Sequence, residues 1–417
     1  MPVTETRQFA ENKPKFFYGY VVVVAAFIIR ILMRGPHSSF GVFFKPLITD
    51  YGWSRALMSG AFSVSLILQG LSGVVMGGLN DKLGPRVVMT LCGILVGLGC
   101  LLMSQISTAW HLYLFYAVIG SGMGGLFTPL MSTVARWFVK RRNLVTGIVL
   151  AGGGIGGIVS PPVANWLIFA YGWRNAYMVM GAMVLAIVIL GAQFLRRDPA
   201  RMGQVPYGVD NGAEQQLKSR AEGFSLKEAA HTRQFWMIFA MIFCFGFCQV
   251  APAVHIVPHA TDLGISAASA ANILAATSGA FLLGSIVLGG VADRIGNRQT
   301  FIICFVLMPA SLFWLLVAGE EWMLYLFAIV MGFGGGGAGM LESTLPAELF
   351  GMRSHGLILG VIGVGFTVGS AVGPLVTGYI FDTSGSYQLA FLITAAVGVV
   401  GFILAVALRP IRKLNTL

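Results

Sequence analysis

Long apolar runs alternate along this chain with short polar or Gly/Pro interruptions, and twelve such runs can be drawn. They lie near 17–44, 55–79, 87–106, 111–137, 144–170, 175–196, 234–260, 266–292, 299–318, 321–349, 356–381 and 387–408. A helix needs roughly 20 mostly apolar residues to cross a bilayer, so each run is long enough to be one span. Composition agrees: 56% of the 417 residues are hydrophobic and 10% charged, against about 25% charged in an ordinary soluble domain. The 55 glycines suit helices packed backbone to backbone. The pattern predicts an all-α membrane protein of twelve transmembrane helices. The first run follows a polar leader, MPVTETRQFAENKPK, and is too long for a signal peptide, so it reads as a retained span.

The net charge of +11 invites a nucleic-acid reading, which its distribution excludes. Lys82, Arg86, Arg136, Lys140, Arg141, Arg142, Arg196, Arg197, Arg233, Arg298 and Arg409 all fall at one set of run ends. The opposite ends hold little beyond Lys45, Arg55 and Arg174. By the positive-inside rule both termini and the 197–233 segment are expected on the cytoplasmic side of the cell inner membrane. The five cysteines, Cys92, Cys100, Cys244, Cys248 and Cys304, all lie within runs and read as apolar packing.

The chain repeats itself. DKLGPR at 81–86 returns as DRIGNR at 293–298, and YLFYAVIGSGMGG from Tyr113 returns as YLFAIVMGFGGGG from Tyr325. Both pairs are 212 residues apart (81 to 293, 113 to 325). A six-helix unit used twice in one orientation is implied, with halves at 17–196 and 234–408, a leader at 1–16, a linker at 197–233 and a tail at 409–417. Parallel repeats about an axis along the membrane normal describe the major facilitator fold, whose site lies between the halves near the midplane. In the repeated loop, Asp81 with Arg86, and Asp293 with Arg298, bracket a Gly-containing turn. They can pair with each other or cap helix ends, and so latch one of two rocking states.

The whole chain resembles the major facilitator superfamily, and within it the monocarboxylate transporters and their bacterial oxalate/formate relatives. The residues that carry the resemblance are YGYVVVVAAF (18–27), GPHSSFGVFFKPL (35–47), NDKLGPR (80–86), ARWFVKRRNLVTG (135–147), GWRNAY (172–177) and VHIVPHATDLGIS (254–266). The resemblance implies secondary transport of small carboxylates, usually with a co-transported proton. Animal members carry a lysine after the proline of their first helix, where this chain has His37. They also carry an Asp–Arg pair in the eighth helix, where register places Phe281 and Ser285. The family's anion-binding arginine is therefore absent from that helix.

Cations appear instead in the first run, FIIRILMRGPHSSFGVFF (27–44). Arg30, Arg34 and His37 are spaced i, i+4, i+7 and share one helical face. Arg30 falls near the midplane, Arg34 one turn further out and His37 near the outer mouth. A charge at a helix centre costs roughly 2.5–3.5 kcal/mol on insertion scales, so these arginines need water, carboxylates or a substrate anion. Guanidinium suits an anion site, because its planar fork grips a carboxylate bidentately and stays charged. Snorkelling is the bland alternative and fits neither arginine, because both are too far from the cytoplasmic edge; the serious alternative is a permanent ion pair with Glu342, the carboxylate within the tenth run.

Glu342 is also a candidate proton carrier, since a buried carboxyl near cations can take up a proton as substrate arrives. His255, in the seventh run, is the second, because imidazole titrates near physiological pH. His255 and His259 with Cys244 and Cys248 form a stripe that could pass a soft metal ion, but ligands strung along one helix do not wrap a tetrahedral ion. Tyr116, Thr128, Ser63, Ser65, Gln69, Asn272, Thr277 and Ser278 are further polar groups within spans. Tyr116 and Ser278 are taken as substrate-binding candidates. The glycine runs at 151–162 and 332–339 lack the strand and the Lys-Ser/Thr of a phosphate loop.

The expected protein is a monomeric secondary carrier of a small organic monocarboxylate, working by alternating access with proton symport. Its partners are the anion, the proton and membrane lipid; neither nucleic acid, a cofactor nor a resident metal is expected. The alternatives are an exchanger of the oxalate/formate kind, a dicarboxylate carrier, since two fixed cations leave room for a double charge, and a metal-ion carrier. No nucleophile–base or phosphate motif marks an enzyme.

Overall fold

The computed structural model describes residues 16–208 and 223–409. The leader up to 15, the 209–222 part of the linker and the tail from 410 onward lie outside the described residues.

The described residues build fourteen α-helices: α1 Gly19–Ser38, α2 Phe40–Tyr51, α3 Arg55–Leu83, α4 Pro85–Met103, α5 Ala109–Met123, α6 Thr128–Trp137, α7 Arg142–Phe194, α8 Leu226–Ala230, α9 Arg233–Asp262, α10 Ala267–Ile295, α11 Asn297–Leu315, α12 Glu321–Phe350, α13 His355–Ser384 and α14 Gln388–Ala407. Among the described residues, eleven stretches are long and apolar enough to cross a membrane. One of them, α7, holds both the fifth and the sixth run in 53 residues, interrupted at Gly172 with φ 80° and ψ 159°. Only glycine takes that conformation readily, so the chain turns there and the spans number twelve. The first span is also longer than the first run, because α2 continues α1 out to Tyr51.

The spans gather into two bundles. One core joins buried residues from Val22 to Leu195, the other from Ala229 to Leu408, with Leu150 and Leu359 each reaching into the opposite core. The halves meet along two seams, α7 against α10 and α3 against α13, and glycines make both seams tight. A Cβ on Gly147 would lie 2.0 Å from the Ser285 carbonyl oxygen, and one on Gly77 2.2 Å from that of Gly356. These contacts lie towards the end of the bundle that carries the termini. Further out they loosen: Gly154 meets Leu282 at 3.5 Å, and one turn beyond, Ile158 and Ser278 are exposed. On the other seam Gly70 still meets Thr367 at 2.6 Å, and Leu66 above it is exposed. The halves are thus shut over roughly 18 Å from the terminal end, at 1.5 Å per residue, and parted beyond.

Charged caps hold the shut end. Asp81 accepts the backbone N–H groups of Gly356 (3.2 Å) and Leu357 (2.9 Å), at the start of α13 in the other half. Asp293 accepts those of Asn143 and Leu144, both at 3.0 Å, at the start of α7. A carboxylate at a helix N-terminus meets unpaired N–H groups and the positive end of the dipole. The latch expected from the repeat therefore differs in its partners. Arg86 donates to Gln193 at 2.6 Å, and Arg298 donates to the Ala405 and Val406 carbonyls at the end of α14, so both arginines stay within their own half. The arginine on Asp81 is Arg136 (3.1 Å), which also donates to the Met352 carbonyl across the seam at 2.7 Å. The position 212 residues on is Glu348, which accepts from Asn297. The repeat conserves the aspartate caps and splits the arginine's role, which loop symmetry alone could not reveal.

Candidate functional site

The parting of the seams decides what becomes of the cations of α1. Arg30 lies at about the level where the halves close, Arg34 one turn above, at roughly 1.5 Å per residue. Arg30 is buried, 8% exposed, and its guanidinium is taken up by backbone: Nη1 donates to the Leu126 carbonyl at 2.7 Å and Nε to that of Leu150 at 3.4 Å. It also sits over the Phe127 ring, 5.5 Å from the centroid.

Arg34 has a different environment. Its neighbours on the helix bracket it: Gly35 packs on Ser160 of α7, and His37 bonds Ser65 of α3. The lipid-facing side of α1 carries Val24 and Ile28, about 80° and 120° round the helix from Arg34 at 100° per residue. Arg34 therefore looks out between α7 and α3, the two helices that carry the seams, where the halves have separated. It is exposed, and among the described residues its guanidinium has no hydrogen-bond or ion-pair partner. An unpaired guanidinium at membrane depth is costly unless water or an anion reaches it.

His37 does not reach the outer mouth. It is 4% exposed, its Nε2 lies 2.7 Å from Ser65 Oγ and its ring stands 5.1 Å from Phe62. Tyr116 is likewise withdrawn: 1% exposed, it bonds Tyr177 at 3.0 Å and packs on Phe40 inside the first half. Its place as a substrate residue is corrected accordingly, because the helix face that carries it turns into the core. Tyr116→Phe is expected to leave uptake within about twofold, since a neutral buried hydrogen bond contributes only about 1 kcal/mol to stability. Ser278 is exposed one turn beyond Leu282, and its hydroxyl donates to the Leu274 carbonyl of its own helix.

Glu342 is buried, 6% exposed, in α12, and Gly339 one turn before it packs on Leu150 of α7 and Phe281 of α10. A Cβ on Gly363 of α13 would lie 3.6 Å from its Oε1. Among the described residues it forms neither an ion pair nor a hydrogen bond, so the permanent pair with Arg30 or Arg34 is absent. Arg30 and Glu342 nevertheless feel one another's charge across the interface. His255 is held within the second half. Its Nε2 lies 3.1 Å from the Pro374 carbonyl and Nδ1 3.4 Å from the Tyr387 hydroxyl. Burial, with Asp262 and Asp382 nearby, pushes the Tyr387 phenol above its usual range. Both contacts tie His255 of α9 to α13 and to the start of α14. Among the described residues no cluster of three metal-binding side chains occurs, and all five cysteines are free and buried.

Sequence reasoning missed Arg136 and Phe127. The first was visible only as one cation of a basic loop, and the second as one of 30 phenylalanines. The GWRNAY motif that carries the family likeness works at the outer end: Trp173 donates to Asp50 and Arg174 to the Tyr51 hydroxyl, both at 2.7 Å.

Comparison with known proteins agrees with this architecture. The sequence profile of the Major Facilitator Superfamily matches residues 23–259 and 250–416. Monocarboxylate transporter 13 of Rattus norvegicus is 30% identical over 383 residues, covering 91% of this chain and 86% of that protein. The oxalate:formate antiporter of Oxalobacter formigenes is 26% identical over 413 residues, covering 96% and 94%. Among solved structures, the proton:xylose symporter XylE superposes with a TM-score of 0.77 over 94% of this chain and 96% of its own, at 14% identity. The chain belongs to the major facilitator superfamily, in its monocarboxylate-transporter-like branch, and is a multi-pass membrane transporter.

Proposed function

We propose that this transporter carries a small organic monocarboxylate by alternating access, with a proton moving in the same direction. One observation supports the reading: Arg34, one turn beyond Arg30 on α1, is exposed, and among the described residues its guanidinium has no partner. A carboxylate satisfies it bidentately in a place of low dielectric, where such a pair is strong. The relatives' names point the same way, one to monocarboxylates and one to oxalate and formate. Arg30 already serves two carbonyls, which leaves Arg34 as the unpaired one of these two arginines among the described residues and favours a single negative charge over a dicarboxylate.

Glu342 supplies the coupling. Its carboxyl is buried at the interface of the halves and lacks a partner among the described residues. Ionised, it repels an anion approaching the cations; protonated, it does not, so proton and anion favour one another's binding. When the seams open at the terminal end, read as the cytoplasmic face from the basic loops, the carboxyl meets water and releases its proton.

The test is uptake of a carboxylate panel into vesicles containing the purified protein. Symport predicts accumulation driven by an imposed pH gradient with no internal substrate, whereas exchange predicts uptake only into loaded vesicles. Glu342→Gln, which mimics the protonated acid, should retain exchange of labelled for unlabelled anion while losing accumulation driven by the gradient. Gradient-driven accumulation by that variant at the parental level would remove Glu342 from the coupling.

A further inference from the structure

The fourth span is broken, and the break explains why Arg30 is there. α5 ends at Met123, Gly124–Leu126 form a single 3-10 turn, Phe127 leaves the helical path with φ −108° and ψ −67°, and α6 begins at Thr128 with Pro129 in its first turn. Pro129 has no N–H to continue the ladder. Past the break, Met131 donates to the Phe127 carbonyl, and the regular ladder of α6 starts only there, so the Leu126 carbonyl, at the end of the 3-10 turn, falls outside it. A carbonyl orphaned at membrane depth needs a donor from elsewhere. That donor is Arg30 Nη1 at 2.7 Å, while Nε of the same fork reaches α7 at Leu150.

We infer that Arg30 is a positioning residue, a guanidinium staple that holds the fourth span broken and ties α1 to the break and to α7. The staple rests on the described geometry; its consequence for transport rests on the proposed carrier reading. Phe127, directly under the guanidinium, packs against both cores, so the staple fixes a residue at the meeting of the halves. Gly153 clears the way for the side chain: a Cβ there would stand 3.1 Å from Arg30 Nε. In this role Arg30 shapes the floor of the gap while Arg34 meets the anion.

A rescue experiment tests it. Arg30→Met removes every donor and keeps much of the side chain's length. Backbone hydrogen exchange across 122–131 should then quicken about tenfold, since leaving a buried acceptor unpaired costs about 1–3 kcal/mol. Pro129→Ala removes the ring's clash with the Gly125 carbonyl and restores an N–H for it, letting the helix run through so that the Leu130 N–H can reach the Leu126 carbonyl. The double variant Arg30→Met/Pro129→Ala should regain parental protection in this segment. Repacking around a lost side chain predicts no such rescue, and failure of the rescue overturns the staple. Uptake of labelled lactate provides a second readout. The staple predicts that Arg30→Met lowers the maximal rate with KM within about twofold, because the anion's ligand is intact. A large rise in KM with unchanged exchange would make Arg30 an anion ligand instead. If no variant, nor the parent, takes up lactate, the carrier reading suffers, while the exchange rescue still decides the staple.

Discussion

Gly147→Val should abolish net transport while leaving the protein folded. A Cβ at 147 would sit 2.0 Å from the Ser285 backbone oxygen, and no side-chain movement relieves a clash with backbone. The same seam is tied by Ser285 Oγ donating to the Gly147 carbonyl at 3.1 Å, so α7 and α10 have little freedom to slide. Overpacking an interior costs about 1–3 kcal/mol where neighbours can adjust, and more where they cannot. The shut terminal end therefore becomes inaccessible, and the carrier rests with that end open. In a cysteine-free background, a reporter cysteine at Leu282 should gain reactivity towards a membrane-impermeant maleimide applied from the terminal side, as uptake falls to background. Parental uptake by a well-folded Gly147→Val protein would mean that this tight seam is no part of the working cycle. Gly147→Ala adds the same Cβ and should fail almost as badly, which separates a backbone clash from mere bulk.

Arg34→Gln is the second large effect, and it falls on affinity. A hydrogen bond to a charged group contributes about 1.5–3 kcal/mol, so losing it should raise KM for the anion about 10- to 150-fold. Arg34→Lys keeps the charge without the planar fork and should fall in between. Because Arg34 has no partner to orphan among the described residues, neither variant should lower the unfolding temperature by more than a degree or two. That separates it from Arg30, whose removal strands a carbonyl. Unchanged KM in both Arg34 variants, measured on the carboxylate that the parent carries best, would end the proposed anion site.

Much of the architecture was legible in one dimension because a bilayer permits few solutions. Apolar runs of about 20 residues must be spans, and the 212-residue repeat had to come from two like halves. Even there Gly172 mattered: its positive φ turns one continuous 53-residue helical stretch into two spans, while Pro161 and Pro162 within it do not end the helix. Spacing also placed Arg30, Arg34 and His37 on one face. It could not say that His37 would be claimed by Ser65, or Tyr116 by Tyr177, because those bonds join residues 28 and 61 positions apart.

The sequence by itself determined the membrane class, the twelve spans, the doubled half, the charge asymmetry and the presence of cations within a span. All of these follow from local hydropathy and periodicity, which act over one helix at a time. Only the tertiary structure decided which cation is free. Arg30 and Arg34 are chemically alike and one turn apart; the first lies where a broken helix offers an uncapped carbonyl, the second where the two halves have drawn apart. Partner choice for a buried charge depends on what other helices bring to it, and helical spacing carries no record of that.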